Sequence, residues 1–205
     1  MSDNGITTRE KIVKAALKVF SEKGYNGATT SEIAREAGVA EGTIFRYFPT
    51  KKDLLFGVAN PVVVASLRTK LADWRDYSPE EFLKALLRNR LMIVKENIEL
   101  VKILLLESQF HPELKDRFLT EVILPAAKLL QGYFKEQEEK GIFRDIDTEI
   151  SIRALAGMVA IFVAWRYAFE GEKYVKFEDE ELISAIVDIF LNGMLKKPVG
   201  EGDCQ

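Results

Sequence analysis

One cysteine and one histidine are all that this 205-residue chain contains of the two commonest metal-binding and redox side chains. Cys204, next to last, has no partner for an internal disulfide, so a reducing, cytoplasmic setting is expected. His111 alone cannot build a His-rich zinc site, and Cys204 lies too far out in the chain to help it. No phosphate-cradling glycine loop and no nucleophile elbow occur. The acidic runs EQEEK and EDEE read as solvated helix faces rather than acid/base pairs. No catalytic residue, metal or cofactor is therefore expected. The N-terminus, MSDNGITTRE, is polar and does not resemble a signal peptide. The longest apolar run, from Ala154 to Trp165, has twelve residues, too few to span a bilayer but suited to a buried helix. No membrane partner is expected.

The net charge is −3, which by itself gives no reason to expect nucleic acid. Its distribution says more. Residues 1–60 carry nine Lys/Arg against seven Asp/Glu, whereas residues 61–205 carry twenty against twenty-five. A slightly basic head precedes an acidic body.

Apolar residues recur at helical spacing nearly throughout, and no segment alternates like a strand, so the fold expected is all-α with about nine helices. The spacing predicts helices over 8–23, 31–37 and 41–47, and a fourth from residue 51. Longer helices follow over 79–96, 98–110, 113–140 with an interruption near Pro125, 148–170 and 178–195. Thr7 with Glu10 forms a capping box, Thr29 or Thr30 caps the second helix with Glu32 completing a box with Thr29, Thr50 caps the fourth helix, and Gly24 and Gly38 end the first two. Pro61, ten residues into the fourth helix, removes a bond to residue 57 and predicts a kink. The organisation expected is a helix-turn-helix domain over 1–50, with its motif at about 30–49, then a larger helical effector-binding and dimerisation domain over 51–197. The residues 198–205 have little to bury and form a flexible tail.

Two-turn helices are marginal alone and need a packed neighbour. The first helix supplies one, with Phe20 placed against Ile33, Ala34, Val39 and Ile44. Three helices with a glycine-containing turn between the last two form the helix-turn-helix arrangement, whose third helix enters the major groove. Helical spacing turns Ile44, Phe45 and Phe48 inward, and Thr43, Arg46 and Tyr47 outward. Arg46 then reads a base, most plainly guanine O6/N7, or grips a phosphate. Tyr47 offers its hydroxyl to a phosphate, and Gly42 permits close backbone approach. Lys51, Thr30 and Ser31 stand in first helical turns, where amides hold phosphate. A helical hairpin with merely solvated cations is the plain alternative for this stretch.

The run Arg9, Ile12, Ala15-Ala16, Phe20, Gly24-Tyr25, Thr29-Thr30, Ile33-Ala34, Ala37-Gly38-Val39, Gly42-Thr43, Tyr47-Phe48, Lys51 and Leu54 resembles the N-terminal domain of TetR-family transcriptional regulators. The resemblance covers about the first fifty-five residues; the rest matches only in being helical. It implies a homodimeric repressor that binds a palindromic operator and is released by a small effector. Two positions depart from the family pattern. Ala40 stands where Ser or Thr often caps the third helix. Glu41 stands where a basic residue is frequent; it suits the helix dipole, repels phosphate, and could accept from cytosine N4.

In the body, Arg90 falls near the middle of an apolar face that includes Phe82, Leu83, Leu86 and Leu87. It either pairs structurally with Glu107 on the next helix or anchors the polar head of a ligand. Phe110, Phe162 and Trp165 are the aromatic candidates around it, giving a largely apolar or amphipathic effector site. Helix 148–170 carries alanines four apart, including Ala156, Ala160 and Ala164, opposite a bulky stripe of Met158, Phe162, Trp165 and Phe169. The small stripe is expected to meet a second copy and the bulky one to point inward. Ile183, Ile186 and Phe190 are expected to complete an intersubunit four-helix bundle. The reading from another class is an all-helical carrier of small hydrophobic molecules that ignores DNA. Salt-dependent binding to a palindrome separates the two.

Overall fold

The computed structural model describes residues 7–74 and 76–195, with the backbone alone over 105–110. Its helices are α1 (Thr8–Gly27), α2 (Thr30–Ala37), α3 (Glu41–Tyr47), α4 (Lys51–Asn60), α5 (Ser66–Asp73), α6 (Pro79–Glu96), α7 (Ile98–Phe110), α8 (Pro112–Phe118), α9 (Leu124–Glu139), α10 (Thr148–Tyr167) and α11 (Asp179–Met194). No strand forms among the described residues; one isolated bridge pairs Phe143 with Leu195. The π-helical turns Pro61–Ala65 and Leu119–Ile123 join α4 to α5 and α8 to α9. With each joined pair counted once, the helices among the described residues number nine, as the periodicity predicts.

Local chemistry accounts for the helix ends. The Thr7–Glu10 and Thr29–Glu32 capping boxes both close. Thr50 caps α4 in the same way, with Asp53 as the returning acid. Gly24 takes φ 70° and kinks α1, which continues to Gly27 rather than ending there, and Gly38 takes φ 67° as the left-handed cap of α2. Pro61 does not break its helix. The carbonyl of Pro61 is met instead by the N–H of Ser66, five residues on, and the helix continues.

The described residues form two compact units, one within 7–71 and 93–126, the other within 72–92 and 127–195. In the first, Ile12, Phe20, Ile33, Ile44, Leu54 and Leu55 are fully buried and bind α1–α4 together. Each such side chain contributes roughly 1.5–3 kcal/mol, and Phe20→Ala would cost ~3–5 kcal/mol by also leaving a cavity. This unit extends past residue 50: α4, α7 and α8 share it with the head.

The second unit is built on aromatic stacking. Phe82 lies flat on Tyr133 with ring centroids 3.5 Å apart, and Phe134 meets both Phe143 and Phe190 edge-on or tilted. The tyrosine hydroxyl is buried without a hydrogen-bond partner among the described residues, and burial pushes its pKa up. The N–H of Arg144 donates to Met194 O at 3.0 Å and secures the end of α11.

Candidate nucleic-acid interface

α3 presents a polar and aromatic surface because only one side of it is needed for the core. Ile44 and Phe48, four apart, are buried; Glu41, Gly42, Phe45, Arg46 and Tyr47 are exposed, and Thr43 is half-buried. Phe45 corrects an expectation. It is 45% exposed rather than turned inward. Its neighbours one turn away are Glu41 and Pro49, so it continues the outer face, whereas Ile44 and Phe48 define the inner one.

The exposed groups are held by one another. The Arg46 guanidinium stands over the Tyr47 ring, 5.3 Å from its centroid. The Thr30 hydroxyl, at the start of α2, donates to Glu41 at 2.6 Å and joins the N-termini of α2 and α3. Glu41 therefore keeps an acceptor oxygen at the leading end of α3, where Ala40 supplies no side-chain cap. Lys51 lies over the Tyr25 ring at 4.5 Å and donates to Ala28 O at 2.8 Å, just before α2 begins. Ser31, in the first turn of α2, is exposed. Thr30, Ser31, Glu41, Gly42, Thr43 and Lys51 thus lie in the first turns of α2, α3 and α4, and Arg46 and Tyr47 in the last turn of α3. Two other cations nearby are paired: Lys23 with Glu32, and Lys18 with Glu36 at 2.7 Å.

On the effector side, Phe162 lines a small cavity of the second unit together with Leu91, Val163, Arg166, Tyr167 and Leu182. Arg166 closes one end by donating to Glu172, Asp179 and Phe177 O at 2.5, 2.6 and 2.7 Å. Trp165, also expected around a ligand, holds a neighbouring loop. Its indole N–H donates to Val175 O at 3.1 Å and its ring covers Gly171, where a Cβ would come within 2.1 Å. It fastens the loop after α10. Arg90 is half-buried and hydrogen-bonds Asn89; desolvation lowers its pKa to about 10. The side chains of Glu107 and Phe110 lie outside the described residues.

The expected contact surface for a second copy also changes. Ala156 and Ala160 are exposed and Ala164 is half-buried, but Ile183, Ile186 and Phe190 pack inside the protomer. α11 is apolar on both sides, so periodicity does not say which side faces inward. The outward groups are Ala185 and Ile189 on α11, and Ile150, Ala154, Gly157 and Ile161 on α10. Phe169, expected inward with the bulky stripe, is 65% exposed beyond the end of α10.

The profile described as "Bacterial regulatory proteins, tetR family" matches residues 12–58, and that of "AefR-like transcriptional repressor, C-terminal domain" matches residues 81–193. The "Fatty acid metabolism regulator protein" of Bacillus subtilis (strain 168) is 24% identical over 191 residues, 91% of this chain and 95% of that one. The fatty acid degradation regulator FadR of Bacillus halodurans has a TM-score of 0.71 at 26% identity, covering 93% of this chain and 97% of its own. FadR from Bacillus subtilis, in complex with stearoyl-CoA, has a TM-score of 0.74 at 23% identity, covering 89% and 97%. The chain is not an enzyme; it belongs to the TetR family of transcriptional regulators.

Proposed function

We propose that this protein is a cytoplasmic, homodimeric repressor that binds palindromic operator DNA and is released by a fatty-acyl effector. The observation that carries the DNA reading is the α3 surface, with exposed Arg46 seated on Tyr47 and Glu41 fixed by Thr30. Arg46 reads a base edge, Glu41 accepts from a cytosine amino group, and Tyr47, Lys51, Ser31 and the α2 N-terminus meet phosphates.

A second copy is the partner that suits α10. The most apolar 18-residue stretch of that helix is only 17% buried within the protomer. Ile150, Ala154, Gly157 and Ile161 follow a 4-3-4 spacing, which forms a continuous seam for a facing helix. Dimers so joined must carry their α3 helices about 34–36 Å apart, or reach that spacing, to engage successive major grooves.

The effector assignment draws on the fatty-acid regulators that the chain resembles and on Arg90. Arg90 remains cationic at neutral pH with a pKa of about 10, and suits an anionic group on an otherwise apolar ligand. The test is selection of bound fragments from the protein's own genome, then titration of the complex with salt and with acyl-CoA thioesters of graded chain length. Expected results are a palindromic fragment, affinity that falls steeply with salt, and release by long-chain thioesters but not by free CoA. Uptake of acyl ligand with no salt-dependent DNA retention would make the protein a carrier instead.

A further inference from the structure

Arg117 lies on α8, apart from the residues placed against DNA, yet a short chain of hydrogen bonds ties it to Thr50, three residues past the end of α3. Its Nη1 donates to Asp53 Oδ1 at 2.9 Å. The other Asp53 oxygen accepts from the Thr50 N–H at 2.9 Å and from its hydroxyl at 2.7 Å. Thr50 follows α3 after only Phe48 and Pro49. The acid that caps α4 is therefore shared between the start of α4 and a cation from another helix.

The seam continues along both helices. Arg117 also donates from Nε and Nη2 to Glu121 at 2.7 and 3.3 Å, and its guanidinium stands 4.5 Å over the Phe56 ring. Lys52 pairs with Glu113. Asn60 Nδ2 donates to the Glu121 carbonyl at 3.0 Å. In a regular α-helix that carbonyl would be met by residue 125, which is proline and has no N–H. Successive turns of α4 (residues 52–53, 56 and 60) thus meet successive turns of the α8 helix (113, 117 and 121). Both helices change to π-helical bonding at that level, Pro61–Ala65 on one side and Leu119–Ile123 on the other. Such turns recur at functional sites.

We propose that Arg117 is a positioning residue for operator binding, and that the seam it centres is the joint through which α8 sets the presentation of α3. This rests on the regulator reading above. Arg117, Asp53 and Glu121 are 29%, 32% and 41% exposed, so the joint is water-accessible and contributes little to global stability. Its work is geometric: it fixes where α4 begins, and α4 fixes α3.

The experiment uses the full chain and the fragment that the parent selects, titrated across a salt series. Variants are Arg117→Met, Arg117→Lys, Asp53→Asn and the Arg117→Met/Asp53→Asn double. Each is checked for active fraction by stoichiometric titration and for folding by a thermal melt. Asn at 53 retains an acceptor for the Thr50 N–H. Arg117→Met should lower operator affinity about tenfold, within the roughly 5–150-fold typical of coupling between sites. Sequence preference, active fraction and salt slope should stay at the parent's values. Arg117→Lys should recover part of the loss, because an ammonium keeps the charge but cannot hold both carboxylates in a planar fork. The double variant should lose no more than the worse single. Parental affinity in Arg117→Met, additive losses, or a salt slope reduced by about one, the mark of a phosphate deprived of its cation, would each overturn the proposal. Should Arg117→Met fail to fold, Arg117→Lys and Asp53→Asn decide by the same readouts. A parent that selects no fragment refutes the regulator reading itself, a separate failure.

Discussion

Gly57→Ala puts two opposing effects in one substitution. In a helix interior, alanine is favoured over glycine by ~0.8–1 kcal/mol, so propensity alone predicts a more stable protein. The structure predicts otherwise. A Cβ at position 57 would lie 2.3 Å from Cε1 of Phe48 and 3.1 Å from two further ring atoms. Phe48 is 4% exposed, its N–H caps α3 at Ile44 O (2.8 Å), and the Arg9 guanidinium stands over its ring at 5.2 Å. The ring cannot swing into solvent without uncovering the core. Overpacking of this kind costs ~1–3 kcal/mol, leaving a net loss of roughly 0–2 kcal/mol once the propensity gain is subtracted. At about 2–4 °C per kcal/mol for a chain of this length, Tm should fall by up to ~8 °C. Operator affinity should fall further, because displacing Phe48 displaces the C-terminus of α3 and with it Arg46. Removing one side chain from a base edge costs ~1–3 kcal/mol, so affinity should fall about tenfold. Thermal melts and operator titrations of the same preparations separate the two effects. A variant that melts about 2–4 °C above the parent and binds the operator unchanged would show that propensity prevails and that Phe48 does not place the recognition helix.

Four further outcomes are expected. Arg46→Ala should lower operator affinity by ~1–3 kcal/mol and relax preference at one position per half-site, whereas Lys51→Ala should weaken binding without changing preference; unchanged selectivity in Arg46→Ala would remove it as a reader. Phe45 can offer a base only apolar contact, so replacing thymines of the operator one at a time by uracil should weaken the parent at one position but leave Phe45→Ala indifferent there. Ile161→Glu should give folded monomers that no longer bind the operator, and light scattering that still reports dimers would exclude this seam. Hydrogen bonds from Thr50, then Arg117, hold the Asp53 carboxyl below its ordinary value of 3.8. Its contribution to stability is thus complete above pH 3.8 and disappears only as pH falls through the lower folded value, so an acid titration of Asp53→Asn should differ from the parent least at the acid end.

The head is legible because its signals are local. Thr7 with Glu10 and Thr29 with Glu32 read as caps from their spacing, and the bounds 41–47, 79–96 and 98–110 agree with the helices observed. Hydrophobicity misleads where it is taken for direction. Phe45 reads as inward because it is apolar, although its angular position matches Glu41 rather than Ile44. Ile183, Ile186 and Phe190 read as partner-facing because α11 is apolar on two sides, and a 3.6-residue period cannot rank two apolar faces. Trp165 reads by its helix alone as a pocket residue; its hydrogen-bond acceptor, Val175 O, and the glycine beneath it lie in a loop that periodicity does not reach.

The prolines show where that limit falls. Each announces, from sequence alone, a carbonyl four residues earlier that has no helical donor. For Pro61 the carbonyl belongs to residue 57, and for Pro125 to Glu121. Both helices respond with a π turn, but at Glu121 a second donor also arrives, the side chain of Asn60. That donor is adjacent to the other proline. Which carbonyl is orphaned is a property of one helix, whereas which side chain fills it depends on the packing of two. The vacancy at Glu121 is therefore predictable, its filling by Asn60 is not, and that filling adds one more tie between α4 and the α8 helix to those made by Arg117 and Lys52. A leucine at position 60 would keep the helix-forming character of α4 and remove this tie alone. Asn60→Leu should leave the helical signal at its parental level while weakening operator binding in the same direction as Arg117→Met, and parental binding by Asn60→Leu would confine the joint to the Arg117 cluster.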